Sequence, residues 1–570
     1  MKRRTAWILA ASVAAVALGA AGVGALALLL RGRGAPLVSG DSYLYLRLEG
    51  EVPEQPPREI AAFFERRPAS LRTLVESLDR AARDSSVRAA IVRINALPDS
   101  GWGKVQELRQ ALERFRKSGK PVHAHIESAG NREYYLATAC SKIYAVPTAI
   151  LDVSGLAAEV SFFRGTLDKI GVEAQFEGVG KYKNAPNQLT ETGFTEPHRE
   201  QMEALLDSVF EQYLAAIAEG RGKTTEQVRE LVDRGPFGAR EALAAGLVDE
   251  LLYQDELEAR IKSAERLTPG QYVRSARGLG FDGRPRLAVV YAVGEIVSGE
   301  SQDGPFGGSG YAGSETVAAA LRQARQDAAV KAIVLRVDSP GGSGTASDVI
   351  WREVELSRHS KPVVVSMGDV AASGGYYIAM GGDVIVAQPG TITGSIGVFG
   401  GKFSLRGLYD KLGVTREILR RGRHADLFTD YRPWDEEERS KVRGLMQAFY
   451  EDFIRKAALG RKMSREDVQA VAQGRVWTGA EARKRGLVDQ LGGLSDAVSL
   501  AKAKAGIARD QDVALTVLPE RKSLFDLLLH SRDEDALERI PADLRALVRL
   551  GRALQSGAIL ARLPFDLRIR

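Results

Sequence analysis

The sequence lacks the features that mark a disulfide-stabilised, metal-binding or nucleic-acid-binding protein. It contains one cysteine, Cys140, so no disulfide can form within the chain. Its 79 basic and 73 acidic residues are mixed along the chain without a basic stripe, which argues against a nucleic-acid partner. No cluster of residues has metal-ligand spacing, and we expect no metal and no other cofactor. Low-complexity stretches are also missing, so a globular chain of about two to four domains is expected.

One long apolar run is present, at the N-terminus. Residues 6–30 carry no charge, and basic residues flank them on both sides. About 20 apolar residues are enough to cross a bilayer, so residues 1–34 are predicted to be an uncleaved transmembrane anchor. A cleaved signal peptide is the alternative. The flanking charges favour a cytoplasmic N-terminus and an exported body.

The rest of the chain repeats itself at an offset of about 243 residues. The matched segments, in order, are 43–48 with 287–291, 87–94 with 330–337, 120–122 with 361–363, 134–137 with 376–379, 168–172 with 410–414, and 246–249 with 486–489. Short apolar strands alternate with amphipathic helical stretches in each copy, which predicts an α/β fold with a mainly parallel sheet.

These boundaries predict four parts. The anchor, 1–34, is followed by a first repeat, 35–268, a second repeat, 269–505, and a C-terminal tail, 506–570. The tail is charged and helical in pattern, and we expect it to cap the second repeat. A contact with a partner or a membrane is the alternative.

A serine in the second repeat follows a strand and precedes a helix. The apolar run 362–367 leads to Ser373, which Gly374 and Gly375 follow before the helical stretch 376–380. Backbone N–H groups at a helix N-terminus can bind an oxyanion, so a nucleophilic serine is one interpretation. A serine that only caps the helix is the other.

The two repeats differ where this chemistry would be. Asn131 aligns with Ser373, and Lys183 aligns with Ala425. A lysine can act as the base if its pKa falls by about three units through desolvation or a nearby cation, and Lys181 is a candidate for that cation. The alternatives are that Lys183 is an ordinary surface lysine, or that a histidine acts instead.

Few histidines are available for that role. The chain has six, and most lie on predicted strands or charged helices. His424, next to the counterpart of Lys183, is the best placed of them.

Two further glycine-rich turns follow strands of the second repeat. The turn 337–344 could supply N–H groups to an oxyanion hole. It could also bind phosphate, but it lacks the Gly-Lys-Ser/Thr ending of a P-loop. The turn 391–398 offers Ser395 as a hydroxyl that could orient an amine.

Together the turns 338–342, 372–376 and 393–397 resemble those of the signal peptide peptidase A family, in its long, tandem-duplicated form. The resemblance covers about residues 40–505. It implies two tandem domains of the Clp protease/crotonase type and a serine endopeptidase with a Ser/Lys dyad. By position, Ser373 matches the nucleophile, Lys183 the general base and Ser395 a lysine-orienting serine, while Gly341 and Gly374 match oxyanion donors.

The resemblance also implies partners and a location. The expected substrates are signal peptides and other extended apolar peptides. The expected assembly is a homo-oligomer, most simply a tetramer. The expected location is the bacterial inner membrane, with a single span and the catalytic body on the periplasmic side. A catalytically silent scaffold and an acyl-CoA enzyme of the same fold are the alternatives to the peptidase.

Overall fold

The computed structural model describes most of both repeats. The described residues are 40–55, 69–261, 265–276, 283–302, 310–519 and the backbone of 560–562. The predicted anchor and most of the predicted tail therefore lie outside the described residues. In the described part of the chain, no helix combines the length and apolar character that a membrane span needs.

The first repeat alternates strands and helices from its first strand onward. Its strands are β1 (Ser42–Leu48), β2 (Val87–Ile94), β3 (Val122–Ala129), β4 (Lys142–Leu151), β5 (Glu173–Val179), β6 (Phe237–Gly238), β7 (Glu250–Leu251) and β8 (Glu265–Leu267). Its helices, with the one that follows β8, are α1 (Leu71–Ala81), α2 (Trp102–Lys117), α3 (Asn131–Ala137), α4 (Arg164–Ile170), α5 (Asn187–Thr190), α6 (Glu196–Arg221), α7 (Thr225–Arg234), α8 (Ala239–Ala244), α9 (Gln254–Ile261) and α10 (Pro269–Ala276).

The second repeat has the same alternation. Its strands are β9 (Arg286–Val293), β10 (Glu295–Val297), β11 (Tyr311–Gly313), β12 (Val330–Ser339), β13 (Gly341–Ser343), β14 (Val363–Ala372), β15 (Val384–Ala387), β16 (Ile392–Gly394), β17 (Val398–Ser404), β18 (Val476–Thr478), β19 (Gln490–Leu491), β20 (Ala514–Leu518) and β21 (Leu560–Arg562). Its helices are α11 (Ser314–Gln326), α12 (Gly344–Arg358), α13 (Gly374–Ala379), α14 (Arg406–Leu412), α15 (Glu436–Arg461), α16 (Arg465–Val471), α17 (Gly479–Lys484) and α18 (Leu494–Lys504).

Each repeat is built on its own, mainly parallel sheet, as the sequence predicts. The first sheet has the order β6-β4-β3-β2-β1-β8, with β7 beside β4, and β6 is antiparallel. The second has the order β18-β16-β14-β12-β9-β20, with β15 between β14 and β19, and β18 is antiparallel. Successive residues of a strand pack on opposite faces of the sheet, in different hydrophobic cores: on β9, Val290 packs in one core and Val289 in the other. The strands read as continuous apolar runs because both faces are covered.

A third sheet joins the two repeats. Its order is β11-β10-β13-β21-β17-β5, so β5 of the first repeat lies at the edge of a sheet made by the second. β5 runs antiparallel to β17, with Val179 opposite Val398 and Glu173 opposite Ser404. Since β5 ends four residues before Lys183, this pairing delivers the lysine loop to the second repeat.

Two short elements near the predicted boundaries pack in ways that the sequence pattern does not indicate. Tyr272 on α10, which the boundary at 268 assigns to the second repeat, donates a hydrogen bond to Asp84 of the first. β20, within the predicted helical tail, is instead a strand that adds to β9. The first repeat thus continues through α10, beyond residue 268, and the second through β20, beyond residue 505.

We expect that Gly401→Ala will destabilise the junction between the repeats. A Cβ at Gly401 on β17 would overlap the carbonyl of Gln175 on β5. Steric overpacking of this kind costs about 1–3 kcal/mol. Denaturant unfolding of the purified full chain measures the effect.

The matched control is Gly444→Ala, because Gly444 is an exposed residue of α15 with open space around it. Alanine should stabilise that helix by up to about 1 kcal/mol. An unfolding midpoint for Gly401→Ala equal to or above that of the unmodified chain would contradict the tight β5–β17 contact.

Candidate active site

The turn after β14 holds Ser373 in a strained backbone conformation. Its φ is 55° and its ψ is −114°, a region that residues other than glycine rarely adopt. Ser373 N–H donates to Gly394 O at 2.8 Å, and Ser373 O accepts from Tyr377 N–H at 2.8 Å. The predicted position of Ser373 before a helix is confirmed, but its side chain makes no capping hydrogen bond. The hydroxyl is therefore free to face another partner.

That partner is Lys183 from the other repeat. Lys183 Nζ lies 2.7 Å from Ser373 Oγ, 2.9 Å from Ser395 Oγ and 3.1 Å from Ser395 O. A neutral amine has two N–H donors and one lone pair. The two Ser395 oxygens can accept from the donors, which leaves the lone pair for the Ser373 hydroxyl. An ammonium could instead donate to all three oxygens, so the contacts fit both forms and burial decides between them.

Burial favours that neutral form. Lys183 is 6% exposed, and this burial holds its pKa well below the ordinary value of 10.5. Desolvation acts alone here, since no charged group among the described residues contributes to the shift. Lys181 is not the helper cation that we considered, because its exposed ammonium lies over the Tyr182 ring, 4.6 Å from the ring centroid.

A segment that the sequence did not single out clamps the lysine loop. Gln473 O accepts from Tyr182 N–H at 2.9 Å. Gly474 has a φ of 79°, and a Cβ there would lie 2.5 Å from Lys183 N. Gly474 N–H in turn donates to Ile396 O at 2.7 Å, beside Ser395. The available signal was a glycine between Gln473 and Arg475, and such glycines are common in turns that lie far from any functional site.

Ser395 is held by the same segment. Its φ is 51°, and its N–H donates to Arg475 O at 2.7 Å. This turn points both Ser395 oxygens at the lysine. The structure thus brings together Ser373, Lys183 and Ser395, which the sequence singled out.

The two candidate oxyanion donors lie on neighbouring turns. Gly374 is the first residue of α13, where helix geometry leaves the N–H groups without helical acceptors. Gly341, with a φ of 97°, begins β13, and its N–H donates to Ser339 Oγ at 3.2 Å. The turns touch, since a Cβ on Gly375 would lie 2.5 Å from Ser339 O.

The equivalent place in the first repeat is filled by other contacts. Asn131, the counterpart of Ser373, donates to Gly155 O at 2.7 Å and accepts from the Tyr213 hydroxyl at 2.9 Å. His424, the alternative base, instead places its Nε2 3.7 Å from Glu437. Neither residue joins the Ser373 cluster.

We expect Lys183→Met to stabilise the fold at neutral pH. A lysine whose folded pKa is lowered costs nothing above its unfolded pKa near 10.5, where both states are neutral. As the pH falls from 10.5 towards the folded pKa, the unfolded chain binds a proton that the folded chain does not, and stability is lost. Methionine lacks this penalty.

Thermal unfolding of both proteins at several pH values tests this. The advantage of methionine should be largest at and below the lowered pKa of the folded chain, and it should shrink by about 1.4 kcal/mol per pH unit as the pH rises from there to 10.5. An advantage that is absent, or that grows towards pH 10, would mean that Lys183 is charged in the folded chain.

Comparisons with known proteins agree with the duplicated architecture. The sequence pattern of the family described as Peptidase family S49 matches residues 114–268 and, a second time, residues 355–508. The chain is 37% identical over 501 residues to "Serine protease SPPA, chloroplastic" of Arabidopsis thaliana, covering 85% of this chain and 73% of the relative. It is 31% identical over 495 residues to "Protease 4" of Salmonella typhi, covering 84% of this chain and 78% of the relative.

Among solved structures, a ClpP1 mutant from Listeria monocytogenes is similar to this chain at 15% sequence identity. The match covers 37% of this chain and 94% of that one, and its TM-score is 0.23. The family match and the sequence relatives confirm the resemblance that the motifs indicate: the chain belongs to peptidase family S49 and is a serine protease.

Proposed function

We propose that this serine protease is a membrane-anchored endopeptidase in which Ser373 is the nucleophile and Lys183 the general base. The observation that carries the proposal is the 2.7 Å contact between Lys183 Nζ and Ser373 Oγ. It joins a strained serine to a buried amine whose pKa is lowered. A general base must lie within hydrogen-bond reach of the proton that it removes, and this one does.

The proposed reaction follows from these contacts. Ser373 Oγ attacks the carbonyl carbon of the peptide bond while Lys183 Nζ takes the hydroxyl proton. The N–H groups of Gly374 and of Gly341, which must give up its 3.2 Å contact with Ser339 Oγ, stabilise the oxyanion. Lys183 then gives its proton to the leaving amine, and an acyl-enzyme remains. Lys183 then deprotonates a water molecule, which attacks the acyl carbon; the bond to Ser373 Oγ breaks, the acid leaves, and Lys183 returns the proton to Oγ.

Ser395 has a supporting part in this proposal. Its two oxygens accept the N–H donors of the neutral amine and direct the lone pair at Ser373. They also stabilise the ammonium that forms when the proton is transferred. Because Ser395 and Ser373 lie on one repeat and Lys183 on the other, the site requires both repeats of a chain.

We infer that the substrates are extended apolar peptides, with signal peptide remnants as the expected class. β21 lies between β13 and β17 and is antiparallel to both, which indicates that this slot accepts an extended segment by backbone pairing. An apolar cluster that includes Ala372 adjoins Ser373. Partly buried apolar residues pack against this cluster and offer contacts to apolar side chains of a substrate: Ala158, Val160, Phe194 and Val370.

Location and fold type rest on the sequence. Residues 6–30 have the length and composition of a span, and we propose that they anchor the chain in a bacterial inner membrane with the catalytic body on the periplasmic side. Each repeat is proposed to be of the Clp protease/crotonase type. A catalytically silent scaffold is the alternative that the variants below exclude or support.

Ser373→Ala and Lys183→Ala are each expected to abolish peptide hydrolysis, by at least about a thousandfold in kcat/KM, because nucleophile and base act as a unit. Turnover of a fluorogenic apolar peptide by the detergent-solubilised full chain measures this. Lys181→Ala is the matched control, since Lys181 is exposed and two residues away, and it should keep full activity. Substantial turnover by either active-site variant would remove that residue from the mechanism.

We also propose that copies of the chain associate through the edges that correspond to the β5–β17 contact. By the repeat offset, segment 415–421 corresponds to β5 and segment 156–162 to β17. Inside the chain, Gly171 and Gly407 pack too closely for a side chain, with a Gly171 Cβ 2.5 Å from Gly407 C. Their counterparts, Gly413 and Gly165, have nothing within 4 Å.

The free edge also exposes apolar side chains between its charged ones: Leu412, Val414, Ile418 and Leu419. Residues 411–420 are all exposed, and Leu419 is 93% exposed. If segment 415–421 of one copy paired with segment 156–162 of the next, the contact between the copies would have the same arrangement as the β5–β17 contact within the chain. Such a head-to-tail contact closes into a ring when its rotation permits, and a tetramer is the expected size.

Leu419→Glu is expected to shift the detergent-solubilised protein towards monomer in light-scattering measurements, because a charge would enter the new contact. Leu459→Glu is the matched control: Leu459 is 65% exposed on α15, outside segment 415–421, and its change should leave the mass unaltered. An unchanged oligomer with Leu419→Glu would exclude this edge.

A further inference from the structure

Buried charges join the two repeats next to the proposed active site. Lys104, near the start of α2 in the first repeat, places its Nζ 2.9 Å from Asp338 Oδ2 and 3.5 Å from Asp369 Oδ2. The three side chains are 7%, 11% and 13% exposed. Both carboxylates belong to the second repeat. One ammonium from the first repeat therefore connects two neighbouring strands of the second.

The first carboxylate supports an irregularity in the strand that ends at Ser373. The pairing of β12 with β14 shifts register between Val337 and Ser339. Asp338 Oδ1 accepts from Val370 N–H at 3.0 Å within this irregular stretch. Bulges of this kind redirect a strand and are common beside active sites. Asp338 thus helps to set the direction in which β14 approaches Ser373.

The second carboxylate fixes helix α2 against the same stretch. Asp369 Oδ2 accepts from Gly101 N–H at 2.8 Å, and Asp369 Oδ1 accepts from Lys104 N–H at 2.7 Å. These are the unpaired N–H groups of a helix N-terminus, where a carboxylate is favourable. The contact is tight, because a Cβ on Gly103 would lie 2.6 Å from Gly368 O.

A second ion group lies one helical turn further along α2. Arg336 on β12 pairs with Glu54 at 2.8 Å and with Glu107 at 3.0 Å, and its guanidinium also donates to Ser366 Oγ. Helix α2 therefore presents a cation and an anion, Lys104 and Glu107, to opposite charges on β12. This charge order fixes the register of the helix on the strand.

The electrostatics of the trio depend on the lysine. Burial raises the pKa of Asp369 and the charge of Asp338 adds to that effect, while Lys104 opposes it. Burial also acts to raise the pKa of Asp338, but the Lys104 ammonium and hydrogen bonds outweigh it and lower that pKa. The other charged groups that face the trio are Glu51, Glu54, Asp99, Glu107 and Arg336.

We propose that Lys104 is a positioning residue for the peptidase reaction. By bridging Asp338 and Asp369, it holds the turns that carry Ser373 and Gly341 in their reactive arrangement. This inference rests on the proposed roles of those turns. Asp338 lies three residues before Gly341 and Asp369 four before Ser373, so a shift of either carboxylate moves a turn that touches the substrate. The first repeat would then supply both the base and the clamp.

Three variants of the full chain test the bridge: Lys104→Met, Lys104→Arg and the double variant Lys104→Met/Asp338→Asn. The double variant keeps the net charge of the wild-type trio, and its asparagine oxygen can still accept from Val370 N–H. The methionine variant instead leaves two carboxylates facing each other without a cation. Turnover of the fluorogenic apolar peptide is measured from about pH 6 to about pH 9 for each protein.

For Lys104→Met we expect kcat to fall about a hundredfold at the upper end of this pH range, because the reacting groups are misplaced. KM should stay within about threefold of the wild-type value, because substrate binding is retained. The ratio of variant to wild-type kcat should rise as the pH falls, because a proton shared between Asp338 and Asp369 removes the repulsion between the two carboxylates. The arginine variant and the double variant should each recover kcat to within about fivefold of wild type.

An unaltered kcat for Lys104→Met would overturn the proposal, and so would a double variant that is no better than the single one. If the methionine variant does not fold, the double variant decides by itself: near-normal kcat supports the bridge, and a loss of about a hundredfold refutes it. A uniform loss at every pH would indicate a general structural role and would also refute the inference.

Ser373→Ala in the same assay separates this inference from the proposed function. If Ser373→Ala is inactive and Lys104→Met is normal, the nucleophile stands and only the bridge fails. If Ser373→Ala retains turnover, the proposed mechanism itself fails.

Discussion

The candidate site depends on keeping one amine out of water. Lys183 is buried without a carboxylate partner among the described residues, and its contacts are the oxygens of Ser373 and Ser395. An isolated buried cation is costly, whereas a neutral amine with two acceptors and one donor is not. The β5–β17 pairing, the Gly474 clamp and the turns around Ser373 and Ser395 all serve to close this space. The chemistry that we propose needs the junction of the repeats to be tight.

Duplication followed by divergence explains why the residues are divided as they are. The two repeats have equivalent positions at the junction, and the chain has the serine in one repeat and the lysine in the other. Asn131 is now bonded within the first repeat, so the serine position there is structural. The chain brings this serine and this lysine together once, and the exposed segment 415–421, the counterpart of β5, is the basis for the association that we propose.

Much of this could be predicted from the sequence, because repeats and turns are local signals. The strand–turn–helix around Ser373 follows from an apolar run and two glycines, and the alignment of the repeats drew attention to Lys183. The long-range partners could not be predicted in this way. Gly474, the Lys104 bridge and strand β20 act through contacts between segments far apart in sequence, and Lys181 was misjudged because the direction of a surface side chain has no sequence signature.

The most direct test of the account is the rate at which a fluorophosphonate probe modifies the full chain at different pH values, with the adduct located by mass spectrometry. We predict an adduct on Ser373 whose rate of formation reaches a plateau well below pH 10.5, the ordinary lysine pKa. Replacement of Lys183 by alanine should remove that pH dependence along with most of the rate. A rate that keeps rising to pH 10.5, or an adduct that forms equally well without Lys183, would contradict the neutral buried lysine on which the account depends.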